Sequence, residues 1–220
     1  MKSGLAGAAL AACLLASGCF DMKQDFRFNS DETAEVTFRI AIDAALIALA
    51  QQGTEKPFCT DEMIARDGIT GTAKSTTEGA DVVCTLTISG PIAKVVDAAS
   101  NAKLNENAKG KQAIALTRDG EAYVLQIDLP PPDDGKAADN PMAKTMQAMM
   151  LAKMSGKTLA WTVTAPSIIE TSGTLSDDGR VASYSRPLAE AFTSREPTRF
   201  SVRFSLKEPG LTGWIRSMFR

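Results

Sequence analysis

The chain has 220 residues, of which 44% are hydrophobic, and its 24 basic and 26 acidic residues give a formal net charge of −2. That length suits one sizeable domain or two small ones, and the near balance of charge gives no reason to expect a nucleic-acid partner. The sequence contains no histidine, which removes the commonest general base and metal ligand, and with them serine triads of the usual kind and histidine-based zinc sites.

The first segment in chain order is an apolar N-terminal run that ends at a cysteine. Lys2 precedes the small and aliphatic stretch Leu5–Leu15, which is too short to span a bilayer. The run continues through Ala-Ser-Gly into Cys19 and resembles a bacterial lipobox, whose cysteine thiol receives a diacylglyceryl group and becomes the first mature residue. We predict a lipoprotein signal peptide over 1–18 and lipidation, with palmitate-type acyl chains, at Cys19. The alternative is an ordinary secretory peptide cleaved after Gly18.

Lipidation at Cys19 would attach the protein to the membrane of the cell envelope, because two or three acyl chains anchor a protein stably. In enteric bacteria an Asp after the lipidated cysteine tends to retain a lipoprotein in the inner membrane, and here that position holds Phe20. We therefore expect the outer membrane and its periplasmic face in a Gram-negative host.

Two further cysteines, Cys59 and Cys84, remain in the exported part of the chain. An even pair in an exported protein predicts one disulfide bond. The alternative is a two-thiol metal or redox site, which is disfavoured because the sequence has neither CxxC spacing nor histidine.

Alternation of apolar and polar residues with period two predicts most of the strands. The alternating stretches are Phe26–Phe28, Ala34–Ile42, Val82–Ile88, Tyr123–Leu129, Leu159–Val163 and Phe200–Leu206. Asp119-Gly120 predicts a hairpin turn from Ala113–Thr117 into the fourth stretch, and Asp178-Gly179 predicts one between Ile168–Leu175 and Val181–Ser185. One-sided strands of this kind build antiparallel sheet with one packed face.

Three helices are predicted, over Ala44–Gln51, Pro91–Asn101 and Met142–Met154. Because strands and helices mix without strict βαβ alternation, we predict an α+β fold, a mostly antiparallel sheet with two or three helices packed on it. We expect a single domain over 19–209, followed by an amphipathic C-terminal segment over 210–220.

The third predicted helix carries five methionines on adjoining positions: Met142, Met146, Met149, Met150 and Met154. We interpret them as a core-facing stripe, since methionine fills irregular gaps in a core. Two alternatives are an adaptable apolar surface for a lipid or partner and a Cu(I) site made of thioethers.

The C-terminal segment is amphipathic and basic. Its apolar residues follow helical spacing, with Arg216 and Arg220 on the other side, and are Leu211, Trp214, Ile215, Met218 and Phe219. That pattern is typical of a segment lying at a membrane interface. Docking of the segment on its own domain is an equal alternative.

Two blocks of the chain resemble the LppM-type bacterial lipoproteins. One is Asp21–Asp43, a strand, an acidic turn and a second strand shortly after the cysteine, and the other is Trp161–Gly173, a strand–Pro–strand block that ends in Ser-Gly. The resemblance implies an α+β domain on a membrane anchor, with a role in binding envelope lipids. The sequence departs from that family in its Cys59/Cys84 pair, and in having the short Leu211–Arg220 segment where a transmembrane helix often follows.

No motif of the sequence indicates catalysis, so we expect no enzyme, no catalytic residues, no metal and no cofactor. The acid pairs Asp133-Asp134 and Asp177-Asp178 each lie beside a glycine and are typical of solvated turns. The leading hypothesis is a membrane-anchored, non-catalytic module that binds an apolar or lipid ligand of the envelope. The alternative is an interaction or assembly lipoprotein that binds an envelope protein and no small molecule.

Overall fold

The computed structural model describes residues 21–50, 59–60, 68–100, 112–131, 145, 148 and 151–208. Within these ranges the chain forms eleven strands and three short helices, and a further helical segment is described in part at 145, 148 and 151–153. The strands are β1 Met22–Phe28, β2 Thr33–Asp43, β3 Thr70–Glu78, β4 Asp81–Pro91, β5 Ala113–Asp119, β6 Ala122–Leu129, β7 Thr158–Thr164, β8 Ser167–Thr171, β9 Thr174–Leu175, β10 Val181–Pro187 and β11 Thr198–Ser205. The helices are α1 Ala44–Ala50, α2 Ile92–Ser100 and α3 Leu188–Thr193.

The strands form two sheets. Sheet A has seven strands in the order β3-β4-β2-β1-β7-β10-β9, and sheet B has four in the order β5-β6-β11-β8. The pairing of β1 with β7 is parallel, whereas β1 and β2 pair antiparallel, so sheet A is a mixed sheet.

The predicted α+β class is wrong, because the described part of the chain is a largely β-sheet fold. Its three helices have only 7, 9 and 6 residues, which is too little to form a layer of their own. The predicted strands are present, and the structure adds β3, whose polar sequence has no apolar alternation. It also adds α3 and divides the stretch Ile168–Leu175 between β8 and β9.

The core lies between the inner faces of the two sheets. In sheet A, Phe26 is aligned with Val36 on β2 and with Val163 on β7, and these side chains are buried. Aromatic stacking joins this face to sheet B, since the rings of Phe28 and Phe204 lie 4.4 Å apart between centroids. The period-two alternation of the sequence therefore directs the large apolar side chains of both sheets into one core.

One side of the core is closed by a helix and the opposite side by a strand crossing between sheets. Helix α2 packs on β2, β4 and β5. On the opposite side the chain passes from one sheet to the other, because β8 pairs in sheet B and the following β9 pairs in sheet A. In the connection between β8 and β9, the Ser172 N–H donates to the Ser201 carbonyl oxygen at 3.0 Å. A Cβ on Gly173 would overlap the Ser183 carbonyl oxygen and lie 2.8 Å from the Phe200 ring, so glycine is required for this close crossing.

Candidate functional site

The predicted disulfide is present. Cys59 and Cys84 are bonded with a Cα–Cα distance of 5.6 Å, which is usual for a disulfide. Cys84 is buried on the inner face of β4, as its alternation predicts, and Cys59 is half-buried beside it. The bond therefore ties the connection between α1 and β3 to the inner face of sheet A.

The predicted lipidation site and membrane segment lie outside the described residues. This holds for Cys19 and for Leu211, Trp214, Ile215, Met218 and Phe219, so both stay predictions. No helix in the described ranges is long and apolar enough to cross a bilayer. The same ranges hold no group of three or more Cys, Asp or Glu side chains arranged to bind a metal ion.

The predicted third helix is described only in part. Thr145, Ala148 and 151–153 are helical, and Met154 is buried in the core cluster. The Lys153 ammonium lies 2.6 Å from the Asp43 carboxylate, and this hydrogen bond raises the pKa of Lys153. A core-facing role is thus found for Met154, while the other four methionines lie outside the described residues.

The inner face of sheet A changes from buried to half-buried near the end at which β1 begins. Phe26 on β1, Phe38 on β2 and Cys84 on β4 are buried, whereas the apolar inner-face side chains nearest that end of each strand are half-buried. We call this set the apolar margin; its members are Met22, Ile40, Ile42 and Val82. Met22 is aligned with Ile40, and Ile42 with Val82, so the margin is a continuous aliphatic patch across β1, β2 and β4.

A pair of amides separates the apolar margin from the solid core. Gln24 Nε2 donates to Gln112 Oε1 at 2.8 Å, and Gln112 Nε2 donates back to Gln24 Oε1 at 2.8 Å. Gln24 is buried, and this reciprocal pair satisfies an amide that would otherwise be unpaired in the core. Because Gln112 precedes β5, the pair also bridges the two sheets.

Trp161 lies level with this amide pair and is fully buried. It is aligned with Gln24 on the neighbouring strand, and its ring stacks on Tyr184 at 5.3 Å between centroids. Its indole N–H reaches no hydrogen-bond acceptor among the described residues. An unsatisfied buried donor is rare in native structures.

A second feature is a groove at the opposite end of sheet A, where the β1–β2 turn meets the end of β4 and the start of β3. It is open to solvent, encloses about 560 Å³, and we call it the turn groove. The side chains that shape it are Asn29, Thr33, Glu35, Ile69, Thr70 and Ser89. Sequence analysis missed this site because its residues come from three strands and include only one charged side chain.

Comparison with known proteins gives a likeness of fold. No family model matches the sequence, and no curated protein matches it. The solved folded domain of LppM from Mycobacterium tuberculosis matches over 86% of this chain and 91% of that chain, with a TM-score of 0.50 and 11% sequence identity.

The fold is LppM-like. At this identity the match bears on the arrangement of the backbone alone. The resemblance seen in the sequence is thus a distant likeness of fold to the LppM folded domain. In this chain the fold is largely β-sheet.

Proposed function

We propose that this chain is a lipid-anchored protein of the bacterial cell envelope whose LppM-like domain is non-catalytic and binds an apolar ligand, a lipid. The apolar margin carries the proposal. Its four aliphatic side chains remain half-buried on a face that is otherwise the core of the protein. Each methylene covered by a bound acyl chain would contribute about 0.8 kcal/mol.

The position of the lipidation site supports the same role. Cys19 precedes the margin residue Met22 by three positions, which span roughly 10 Å in an extended chain. Acyl chains on Cys19 would therefore hold the apolar margin beside the bilayer, where a lipid could pass between the two. The LppM neighbour agrees with an envelope lipoprotein as the general class.

The ligand is tested by lipid analysis of the full chain carrying Cys19→Ala, which cannot be acylated. We expect lipid to co-purify with this chain. The amount of bound lipid should fall in the double variant Ile40→Thr with Ile42→Thr, which keeps the β-branched shape of both side chains but reduces the apolar surface of the margin. Ile169→Thr is the matched control, because Ile169 is exposed on β8. Lipid content that is equal in the margin variant and the control would contradict the proposal.

The anchor is tested separately by mass spectrometry of the mature N-terminus. We expect an acylated Cys19 and release of the Cys19→Ala chain from membranes. For the tail, binding of unacylated protein to anionic vesicles should fall when 211–220 is deleted. An unmodified Cys19 would refute the anchor, and equal binding with and without the tail would indicate docking on the domain.

A second candidate function, assembly with an envelope protein, is favoured by β3. This strand ends sheet A among the described strands, and eight of its nine residues are exposed. Exposed edge strands are common sites of strand addition by a partner. A photo-crosslinker at Thr76 should then yield one discrete adduct in cells, unaffected by the margin variant.

A further inference from the structure

The turn groove has two hydrogen-bond acceptors that are free to bind a donor. The first is Asn29 Oδ1, and it is identified by the hydrogen bonds of the β1–β2 turn. Asp31 carboxylate accepts from the Thr33 hydroxyl at 2.6 Å and from the Thr33 N–H at 3.1 Å. The hydroxyl bond lowers the pKa of Asp31, which is therefore an ionised acceptor near neutral pH.

Since the Thr33 hydroxyl proton is used by Asp31, the Thr33 oxygen can only accept from its other neighbour. That neighbour is the Asn29 amide, whose Nδ2 donates at 2.9 Å. Asn29 consequently keeps its carbonyl oxygen Oδ1 for another donor. This orientation of the amide is determined by the hydrogen bonds of the turn.

Glu35 supplies the second free acceptor. It is half-buried on β2 and aligned with Arg27 on β1 and Ser89 on β4. Although Arg27 lies directly opposite, Glu35 forms neither an ion pair nor a hydrogen bond with any side chain that the structure describes. Glu35 lines the turn groove, where a half-buried carboxylate without a side-chain partner favours a cationic donor.

The other side chains of the groove wall leave little need for a hydrogen-bond acceptor on the ligand. Thr70 and Ser89 bond each other through their hydroxyls at 2.8 Å. Ile69 and the glycines Gly68 and Gly90 form the apolar part of the wall. The side chain of Lys94 lies against Gly68, but Lys94 is not one of the residues that line the groove.

We propose that the turn groove binds a small polar ligand through a primary ammonium group, which donates hydrogen bonds to the Glu35 carboxylate and to Asn29 Oδ1. An ammonium carries one positive charge and three donors, which suits one carboxylate and one amide oxygen in the same groove. A quaternary ammonium has the charge without the N–H donors, and a diol has donors without the charge. This site is separate from the apolar margin and does not depend on lipid binding there.

The test is an NMR titration of the full chain carrying Cys19→Ala with ethanolamine, alongside tetramethylammonium and ethylene glycol. We expect saturable shifts of the Asn29, Glu35 and Ser89 amides with ethanolamine and none with the other two probes. Glu35→Gln should weaken binding by about tenfold or more, because a charge-assisted hydrogen bond is replaced by a neutral one. Glu170→Gln, which changes an exposed carboxylate on β8, should leave binding unchanged.

Unsaturable shifts, equal affinity in Glu35→Gln folded protein, or equal binding of either control probe would overturn the proposal. Thermal unfolding of both glutamate variants establishes that each is folded. Vesicles of phosphatidylethanolamine, compared with phosphatidylcholine, then distinguish the source of the ammonium. Preferential binding to the former that Glu35→Gln abolishes identifies a lipid headgroup, and binding of free ethanolamine alone identifies a soluble amine.

Discussion

Reduction of the Cys59–Cys84 disulfide should destabilise the fold by about 3.5 kcal/mol. The two cysteines are 25 residues apart, and the chain-entropy relation for a loop of this size gives that magnitude at room temperature. The change acts mainly on the unfolded chain, which gains freedom when the cross-link is opened. With a urea dependence near 2 kcal/mol per molar, the unfolding midpoint should fall by about 1.75 M.

The measurement is urea unfolding of the wild-type chain with and without a thiol reductant, which leaves every side chain in place. A double variant, Cys59→Ala with Cys84→Ala, is the control and should not respond to the reductant. A loss on reduction of less than about 1 kcal/mol, with the bond shown by peptide mapping to be open, would refute the argument from loop closure. Recovery of both residues as free thiols from native protein would refute the disulfide itself.

Three further substitutions test the packing and the turns. Gly173→Ala should destabilise the fold by roughly 1–3 kcal/mol, because the new methyl meets the backbone where the chain crosses between sheets, and wild-type stability in chemical unfolding would contradict this. Phe204→Ala should lose about 3–5 kcal/mol, whereas Phe192→Ala, at an exposed site, should lose far less, and similar losses would refute the stacked core. The Ser176 hydroxyl and the Arg180 N–H lower the pKa of Asp178, so its carboxylate stabilises the fold above the ordinary aspartate value and loses that effect as the pH falls through the lowered one. The stability difference between wild type and Asp178→Asn should therefore shrink from about pH 7 to about pH 2, and a constant difference would contradict it.

The sequence predicted the strands whose two faces differ in environment. Phe200, Val202 and Phe204 alternate with polar residues because one face of β11 packs in the core and the other meets water. Strand β3 could not be found in this way, since eight of its nine residues are exposed and its sequence has no apolar alternation. The parallel pairing of β1 with β7 could not be predicted either, because the alternation within each segment does not identify the strand with which it pairs.

The candidate site was predictable only in part. The disulfide followed from two cysteines in an exported chain, and the alternation of β4 placed Cys84 on the inner face. The sequence did not indicate the apolar margin, because Ile40 and Ile42 continue the same alternation as the buried Val36 and Phe38. Only the packing of the second sheet distinguishes half-buried from buried positions on one strand.

The place of β1 in sheet A has a consequence for the order in which the chain folds. β1 is the fourth of seven strands, bonded on one side to the adjacent β2 and on the other to β7, where Thr158 N–H also bonds Asp21 at a sequence separation of 137. A chain that emerges N-terminus first can form the β1–β2 hairpin early, but the other edge of β1 waits for β7. Such non-local pairing slows folding, because the intervening loop must be closed before its contacts form. The middle of the larger sheet is therefore completed late, by a strand from the second half of the chain.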